Sequence, residues 1–172
     1  MKSFLTAILL VIFMGGFAQT DFKWDKVDSV AKTKAQIYSD TKMFIAEFWK
    51  SAQNVIQNDD KEAGMILVKG VSSQDYTFLL HPHHYKYSYT VKFLMKEGKY
   101  KLVIDNLICI SATCEGNVWP LIEPTENTTK TVGGMPAAKL TEMMASLKKE
   151  LQGIVDSYGK YIKTPSATKE NW

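Results

Sequence analysis

The chain has 172 residues and a formal net charge of +3, from 21 basic and 18 acidic residues, and this length fits one domain with a single core. Every basic residue is a lysine. Without arginine the chain lacks the forked side chain that reads guanine edges and clamps phosphates, so we do not expect nucleic acid as a partner.

The start of the chain has the pattern of a cleavable secretion signal. Lys2 precedes an apolar run over residues 4–13, and the small residues Gly16 and Ala18 follow at the alternate positions that a signal peptidase requires. The apolar run is too short to span a bilayer, which takes about 20 residues. We therefore predict a signal peptide at residues 1–18 and an exported chain, periplasmic or secreted, without a transmembrane anchor.

The next part of the chain contains one predicted helix between extended segments. Residues 22–30 are predicted to be extended, and apolar residues spaced three and four apart predict a helix over 34–51. Residues 54–57 are predicted as a brief strand and residues 58–62 as a turn. Residues 64–71 then return as a second strand, so the two strands form a predicted hairpin.

The clearest pattern in the chain is an alternation of apolar and polar residues over 85–96, which only Leu94 interrupts. Such alternation predicts a half-buried antiparallel strand. Residues 97–98 form a predicted tight turn, and residues 99–110 return as the next strand, with Tyr100 and Ile104 on the same face.

The last part of the chain combines an irregular stretch with a second helix. Residues 111–134 contain several chain breaks, and Pro136 suits the first turn of a helix. The polar tail, residues 164–172, is predicted to be flexible. The apolar stripe of this helix consists of residues at helical spacing: Leu140, Met143, Met144, Leu147, Leu151, Ile154, Val155 and Tyr158.

The order of these elements predicts the fold class. A strand, a helix, several antiparallel strands and a helix indicate an α+β fold, in which two amphipathic helices pack on one face of a single antiparallel sheet. All of these elements belong to one predicted domain, residues 19–163.

Part of the chain carries a family resemblance. The most specific stretch is residues 48–70, which runs from FWKSAQNVIQ through DDKEAG to Gly70 in the predicted second strand. The predicted hairpin over residues 85–110, which is rich in tyrosine, follows. Residues 30–110 as a whole resemble an uncharacterised family of exported bacterial domains of unknown function with a TATA-binding-protein-like fold. The resemblance implies a curved sheet with helices on one side, and it implies no activity, because a shared fold does not transfer function.

The three histidines of the chain lie within four residues, at His81, His83 and His84. Neutral imidazoles are common ligands for zinc, copper or nickel, so this cluster is a candidate metal site. A structural metal site takes four ligands, however, and the cysteines lie elsewhere in the sequence. The other interpretation is a polar loop that enters the long strand.

The two cysteines, Cys109 and Cys114, form an even pair in a chain with a predicted oxidising destination. We predict a disulfide between them, although a loop this short gains only about 2 kcal/mol from chain entropy. Two free thiols are the alternative, with Cys109 buried at the end of its strand.

Two other groups of residues are candidates for binding. Lys86, Lys92 and Lys101 lie on the predicted hairpin and form either a face for an anionic ligand or a solvated face that discourages strand pairing.

Trp119, Leu121 and Ile122 are apolar residues in the irregular stretch. They form either a loop that binds a partner or a lid that closes the core, and the lid is the interpretation that we favour.

The sequence contains no catalytic or cofactor constellation that we recognise. We therefore predict a non-enzymatic binding or interaction domain without a cofactor, whose partner is an unknown small molecule or envelope protein. The alternatives are a metal-binding protein or metal-dependent enzyme that uses the histidines, and an envelope structural or assembly factor.

Overall fold

The structure is a computed structural model that describes residues 23–78, 81–110 and 137–164. The predicted signal peptide, the irregular stretch and most of the polar tail lie outside these described residues. The elements in chain order are β1 (Trp24–Ser29), α1 (Lys34–Trp49), α2 (Ala52–Val55), β2 (Ile56–Asp60), β3 (Met65–Phe78), β4 (His81–Lys96), β5 (Lys99–Cys109) and α3 (Ala137–Lys163).

The strands form one five-stranded antiparallel sheet in the order β1-β5-β4-β3-β2. The first strand, β1, pairs with the last, β5, so that Trp24 lies opposite Ile104. The outermost strands of the sheet are therefore β1 and β2, and both α1 and α3 pack on the same face. This arrangement confirms the predicted α+β layout.

The first helix begins where its sequence supplies a capping box. Thr33 Oγ1 accepts a hydrogen bond from the Gln36 amide at 3.2 Å, and the Gln36 side chain accepts one from the Thr33 amide at 2.9 Å. These two bonds satisfy backbone donors that the first turn of a helix leaves without partners. The helix ends at Trp49, because Lys50 has a left-handed backbone with a φ of 56°.

The alternation of β4 places its odd-numbered residues against the helices, as predicted. From Tyr87 to Met95 these side chains are almost completely buried, whereas Lys86, Lys92 and Lys96 lie on the opposite face. We call that opposite side the helix-free face. Tyr87 and Tyr89 therefore belong to the core.

A β-bulge changes the side-chain alternation of β5. Pairing shifts between Ser88 and Thr90 of β4, because β5 contains one additional residue at Asn106, where φ is 53°. Asparagine tolerates this left-handed conformation better than most residues. The additional residue lets Leu107 and Cys109 face the helices, after even-numbered residues such as Ile104 have done so.

The core lies between the sheet and the two helices. Its centre is Tyr158 of α3, whose ring contacts those of Phe44, Phe93 and Tyr100 at centroid distances of 5.2, 4.8 and 4.9 Å. The Tyr158 hydroxyl lies 2.8 Å from Thr41 Oγ1. No helix within the described residues is long and apolar enough to cross a membrane.

The predicted strand over 54–57 is wrong in its first half. Ala52–Val55 forms a short helix, in which the Asn54 amide donates to the Ser51 carbonyl at 3.1 Å. Only from Ile56 onward is the chain extended. Residues 51–55 have no apolar alternation that would favour a strand.

The predicted turn over 58–62 lies three residues later, at 61–64. Asp60 accepts a hydrogen bond from the Ala63 amide at 2.8 Å, which closes the turn from the end of β2. Gly64 completes the turn with a φ of +69°, a conformation that glycine adopts without strain.

The buried tyrosines predict a loss of stability at alkaline pH. Burial raises the pKa of Tyr87, of Tyr89 and of Tyr100 from 10.0 to about 12. Because the folded state holds these protons more tightly, the three tyrosines contribute fully to the free energy of unfolding below pH 10. This contribution falls as the pH rises toward about 12. Urea unfolding over this range, followed together with tyrosinate absorbance, measures the effect. If all tyrosines titrated near pH 10 and the free energy of unfolding did not fall at higher pH, the prediction would be contradicted.

Candidate functional site

The sheet has an edge at β3 that no described strand covers. β3 runs from Met65 to Phe78 and pairs with β4 along this whole length. On its other side, β2 pairs only with Met65–Val68. Residues 69–78, which we call the open edge, therefore have a strand partner on one side only among the described residues. Such an edge presents backbone N–H and C=O groups in the arrangement that accepts another strand.

The open edge has different side chains on its two faces. On the helix-free face Lys69, Val71, Ser73 and Asp75 are exposed, and 54% of the surface of Val71 is accessible. Together they make a surface that is polar at both ends and has one aliphatic side chain near its middle.

On the helix face, the open edge is built around a glycine. The ring of Tyr89 lies against Gly70 so closely that a Cβ atom on Gly70 would be 2.3 Å from the ring. Only a residue without a side chain lets β4 press its tyrosine onto β3 in this way. Burial and the nearby Glu150 carboxylate raise the pKa of Tyr89 to about 12.

Next along the edge, three polar side chains form what we call the Glu150 cluster: Ser72, Gln74 and Glu150. Ser72 Oγ donates to Glu150 Oε2 at 2.5 Å, and Gln74 Nε2 donates to the same oxygen at 3.1 Å. Ser72 is only 2% exposed, whereas Glu150 lies on the exposed side of α3. The cluster therefore fixes a carboxylate of the helix layer over the open edge of the sheet.

The opposite edge of the sheet has a different character. β1 is short, and it carries charges on both of its faces, at Asp25, Lys26 and Asp28. Lys101 binds Asp25 at 2.8 Å and Lys163 binds Asp28 at 2.6 Å, so side chains of neighbouring elements fix these charges at the edge. Short and charged edges resist pairing with another strand, and β1 is therefore the less suitable of the two for binding one.

The predicted histidine loop is instead the beginning of a strand, because β4 starts at His81 and pairs with the far end of β3. His84 Nδ1 lies 2.7 Å from Asp75 Oδ1, and both side chains are exposed. The side chains of His81 and His83 lie outside the described residues. Among the groups that the structure describes, no three of His, Cys, Asp and Glu lie close enough to hold a metal ion.

The predicted lysine face is present, but ion pairs reduce its charge. Lys86, Lys92 and Lys101 all lie on the helix-free face. Lys92 binds Asp105 at 2.7 Å, and Lys101 binds Asp25. These pairs leave a mixed surface rather than a uniformly positive one.

The remaining candidates lie at the end of β5 and beyond it. Cys109 is buried and is disulfide-bonded. Its predicted partner Cys114 lies outside the described residues, so the pairing of the two stays a prediction. Trp119, Leu121 and Ile122 also lie outside the described residues, so both interpretations of that loop stay predictions.

Sequence reasoning missed the Glu150 cluster and the environment of Asp105. The Oδ1 atom of Asp105 is buried without a hydrogen-bond donor in the part of the chain that the structure describes. This atom lies beside the bulge at Asn106, which no glycine marks in the sequence. The signal in the sequence is the pair of consecutive polar residues Asp105 and Asn106, which interrupts the alternation of β5.

Comparisons with known proteins identify the fold and leave the activity open. The model of a domain of unknown function with a TBP-like fold, DUF4468, matches residues 24–108. No curated protein matches the chain.

Two solved structures resemble this one. A DUF4468 family protein from Bacteroides ovatus is 17% identical with a TM-score of 0.59, and the match covers 84% of this chain and 88% of that one. A TBP-like protein from Parabacteroides distasonis is 9% identical with a TM-score of 0.53, and the match covers 81% and 93% of the two chains. At these identities the likeness shows the fold alone.

Proposed function

Residues 24–108 of this chain belong to the DUF4468 family of domains of unknown function, and we propose that the protein is an exported, non-enzymatic binding domain that takes up an extended polypeptide strand at the open edge of β3. The observation that carries this proposal is the difference in length between β2 and β3. β3 continues through residues 69–78 after its pairing with β2 has ended at Val68.

The backbone of the open edge would supply most of the hydrogen bonds to an added strand. Each N–H and C=O group that points away from β4 needs water or a partner, and an added strand supplies partners for a whole row of them at once. The side chains at the edge do not oppose this addition. Within residues 69–78 the charged residues are Lys69 and Asp75, which lie toward the two ends of the edge.

A binding domain also agrees with the chemistry of the helix face. Ser72 is a buried hydroxyl at this edge, and it donates to the Glu150 carboxylate rather than to the more basic imidazole that usually activates a serine nucleophile. The other buried groups near it are aromatic and aliphatic side chains of the core. The described residues near the edge therefore support recognition more than catalysis.

The proposal predicts that Val71→Lys weakens strand binding by about tenfold. The substitution removes aliphatic surface that would contact the added strand, and it puts a third charge on the edge, which together cost roughly 1–2 kcal/mol. Val71 is exposed, so the fold should tolerate lysine. The probe is a peptide selected from a displayed library of random peptides of about ten residues, with affinity measured by calorimetry.

Val27→Lys is the matched control, because Val27 is 62% exposed on the helix-free face at the other edge of the sheet. It should leave the affinity unchanged. Hydrogen exchange should also show that the peptide protects amides within residues 69–78. Equal losses in the two variants, or protection of β1 in place of β3, would overturn the proposal, as would a failure to select any peptide.

A further inference from the structure

Resting on the proposed function, we infer that the strand bound at the open edge carries a basic side chain, lysine or arginine, which the carboxylate of Glu150 recognises. The inference concerns the chemical class of the partner: an extended segment with a positive charge at one position on its helix-facing side.

Two neutral side chains of β3 hold the Glu150 carboxylate. Its Oε2 atom accepts hydrogen bonds from Ser72 and Gln74, and both of these donors are neutral. No lysine or histidine within residues 23–78, 81–110 and 137–164 forms an ion pair with Glu150. The cluster therefore orients the carboxylate without neutralising it, which leaves its charge available to a ligand.

The Glu150 carboxylate lies beside the open edge. Both of its donors come from the open edge itself, at alternate positions on the helix face of β3. A strand added to this edge would lie about 4.8 Å from β3, and its alternate side chains would rise on the same face beside Ser72 and Gln74. A lysine or arginine at such a position reaches Glu150 directly.

The charge of Glu150 also disfavours some partners. Two copies that paired their open edges in an antiparallel way would be related by an axis perpendicular to the sheet. Both helix layers would then lie on one side, and the two Glu150 carboxylates would repel each other near that axis. An acidic partner meets the same repulsion, so the residue selects for a basic strand and against pairing of the chain with itself.

The test compares peptides selected by the wild-type protein, by Glu150→Gln and by Glu150→Lys from the same displayed library. The wild type should enrich lysine or arginine at one peptide position. Glu150→Gln keeps the shape of the side chain and should lose this enrichment, with a fall of about tenfold in affinity for a wild-type-selected peptide. Glu150→Lys should favour aspartate or glutamate at the same position.

Glu142→Gln is the matched control, since Glu142 is an exposed acid of the same helix that binds Lys139 at 2.8 Å. It should select the same peptides as the wild type. Size-exclusion chromatography of the free variants adds a second readout: self-association should be greater in Glu150→Gln than in the wild type.

The outcomes separate the inference from the proposed function. Peptides that protect residues 69–78 but show no basic preference, or a preference that Glu150→Gln leaves unchanged, would overturn the inference while strand binding stands. If no variant selects a peptide, strand binding itself fails and the inference fails with it.

Discussion

Replacing Tyr158 by alanine is expected to lower the free energy of unfolding by about 3–5 kcal/mol, the range typical of removing a large aromatic side chain from a core. The ring is completely buried and contacts Phe44 of α1, Phe93 of β4 and Tyr100 of β5. The Tyr158 ring thus connects α3 with α1, β4 and β5 at one point. The cavity that alanine leaves cannot close without moving one of these elements.

The Tyr158→Phe variant separates the ring from its hydroxyl. Thr41 donates its own hydroxyl hydrogen to the Ile37 carbonyl at 2.6 Å, so the Tyr158 hydroxyl is the donor in their 2.8 Å contact. Removal of that donor should cost about 1 kcal/mol. Urea denaturation of the two variants measures both effects, and an alanine variant no less stable than the phenylalanine variant would show that the ring contributes no packing.

The second large effect is expected at Gly70, where Gly70→Ala should destabilise the fold by about 1–3 kcal/mol. The new methyl group would lie 2.3–2.6 Å from ring atoms of Tyr89, and that ring is itself only 3% exposed. Because the ring has little room to move, the strands must separate or the side chain must leave its preferred rotamer. Thermal and urea unfolding of the variant give the size of the effect.

Two further substitutions control this result. Gly153→Ala on α3 meets no atom within 4 Å and should stabilise the protein by about 0.5–1 kcal/mol, because alanine favours a helix more than glycine does. Tyr89→Leu should make the protein insensitive to Gly70→Ala, since it removes the ring that the methyl group strikes. Additive effects of the two changes would contradict the proposed contact.

The sequence predicts the elements whose pattern repeats. The alternation of β4 and the helical spacing of α3 determine which side chains are buried, and both predictions hold from Tyr87 to Met95 and from Met143 to Tyr158. Segments of a few residues are too short to show a regular apolar spacing, and local hydrogen bonds determine their structure instead. The helical turn at Asn54 and the displaced turn after Asp60 are examples.

The candidate site depends on features that the sequence does not display. The open edge exists because β2 stops pairing at Val68 while β3 continues to Phe78, well beyond residue 71, where the predicted strand ends. The hydrogen bond from Ser72 to Glu150 joins residues that are 78 positions apart. Such contacts follow from the tertiary arrangement of α3 on the sheet, and pairing between strands and helices has no local signature.

The pairing of β1 with β5 also governs how the chain reaches its fold. Ser29 lies opposite Lys99 and Trp24 opposite Ile104, so the first strand meets its neighbour only after the rest of the sheet has been synthesised. Closing a loop of this length has an entropic cost that is met before any contact forms, and folds dominated by such long-range contacts reach the native state slowly. Until β5 is in place, the segment that becomes β1 has no strand to pair with, and the newly made chain remains an incomplete sheet with β4 as an uncovered edge.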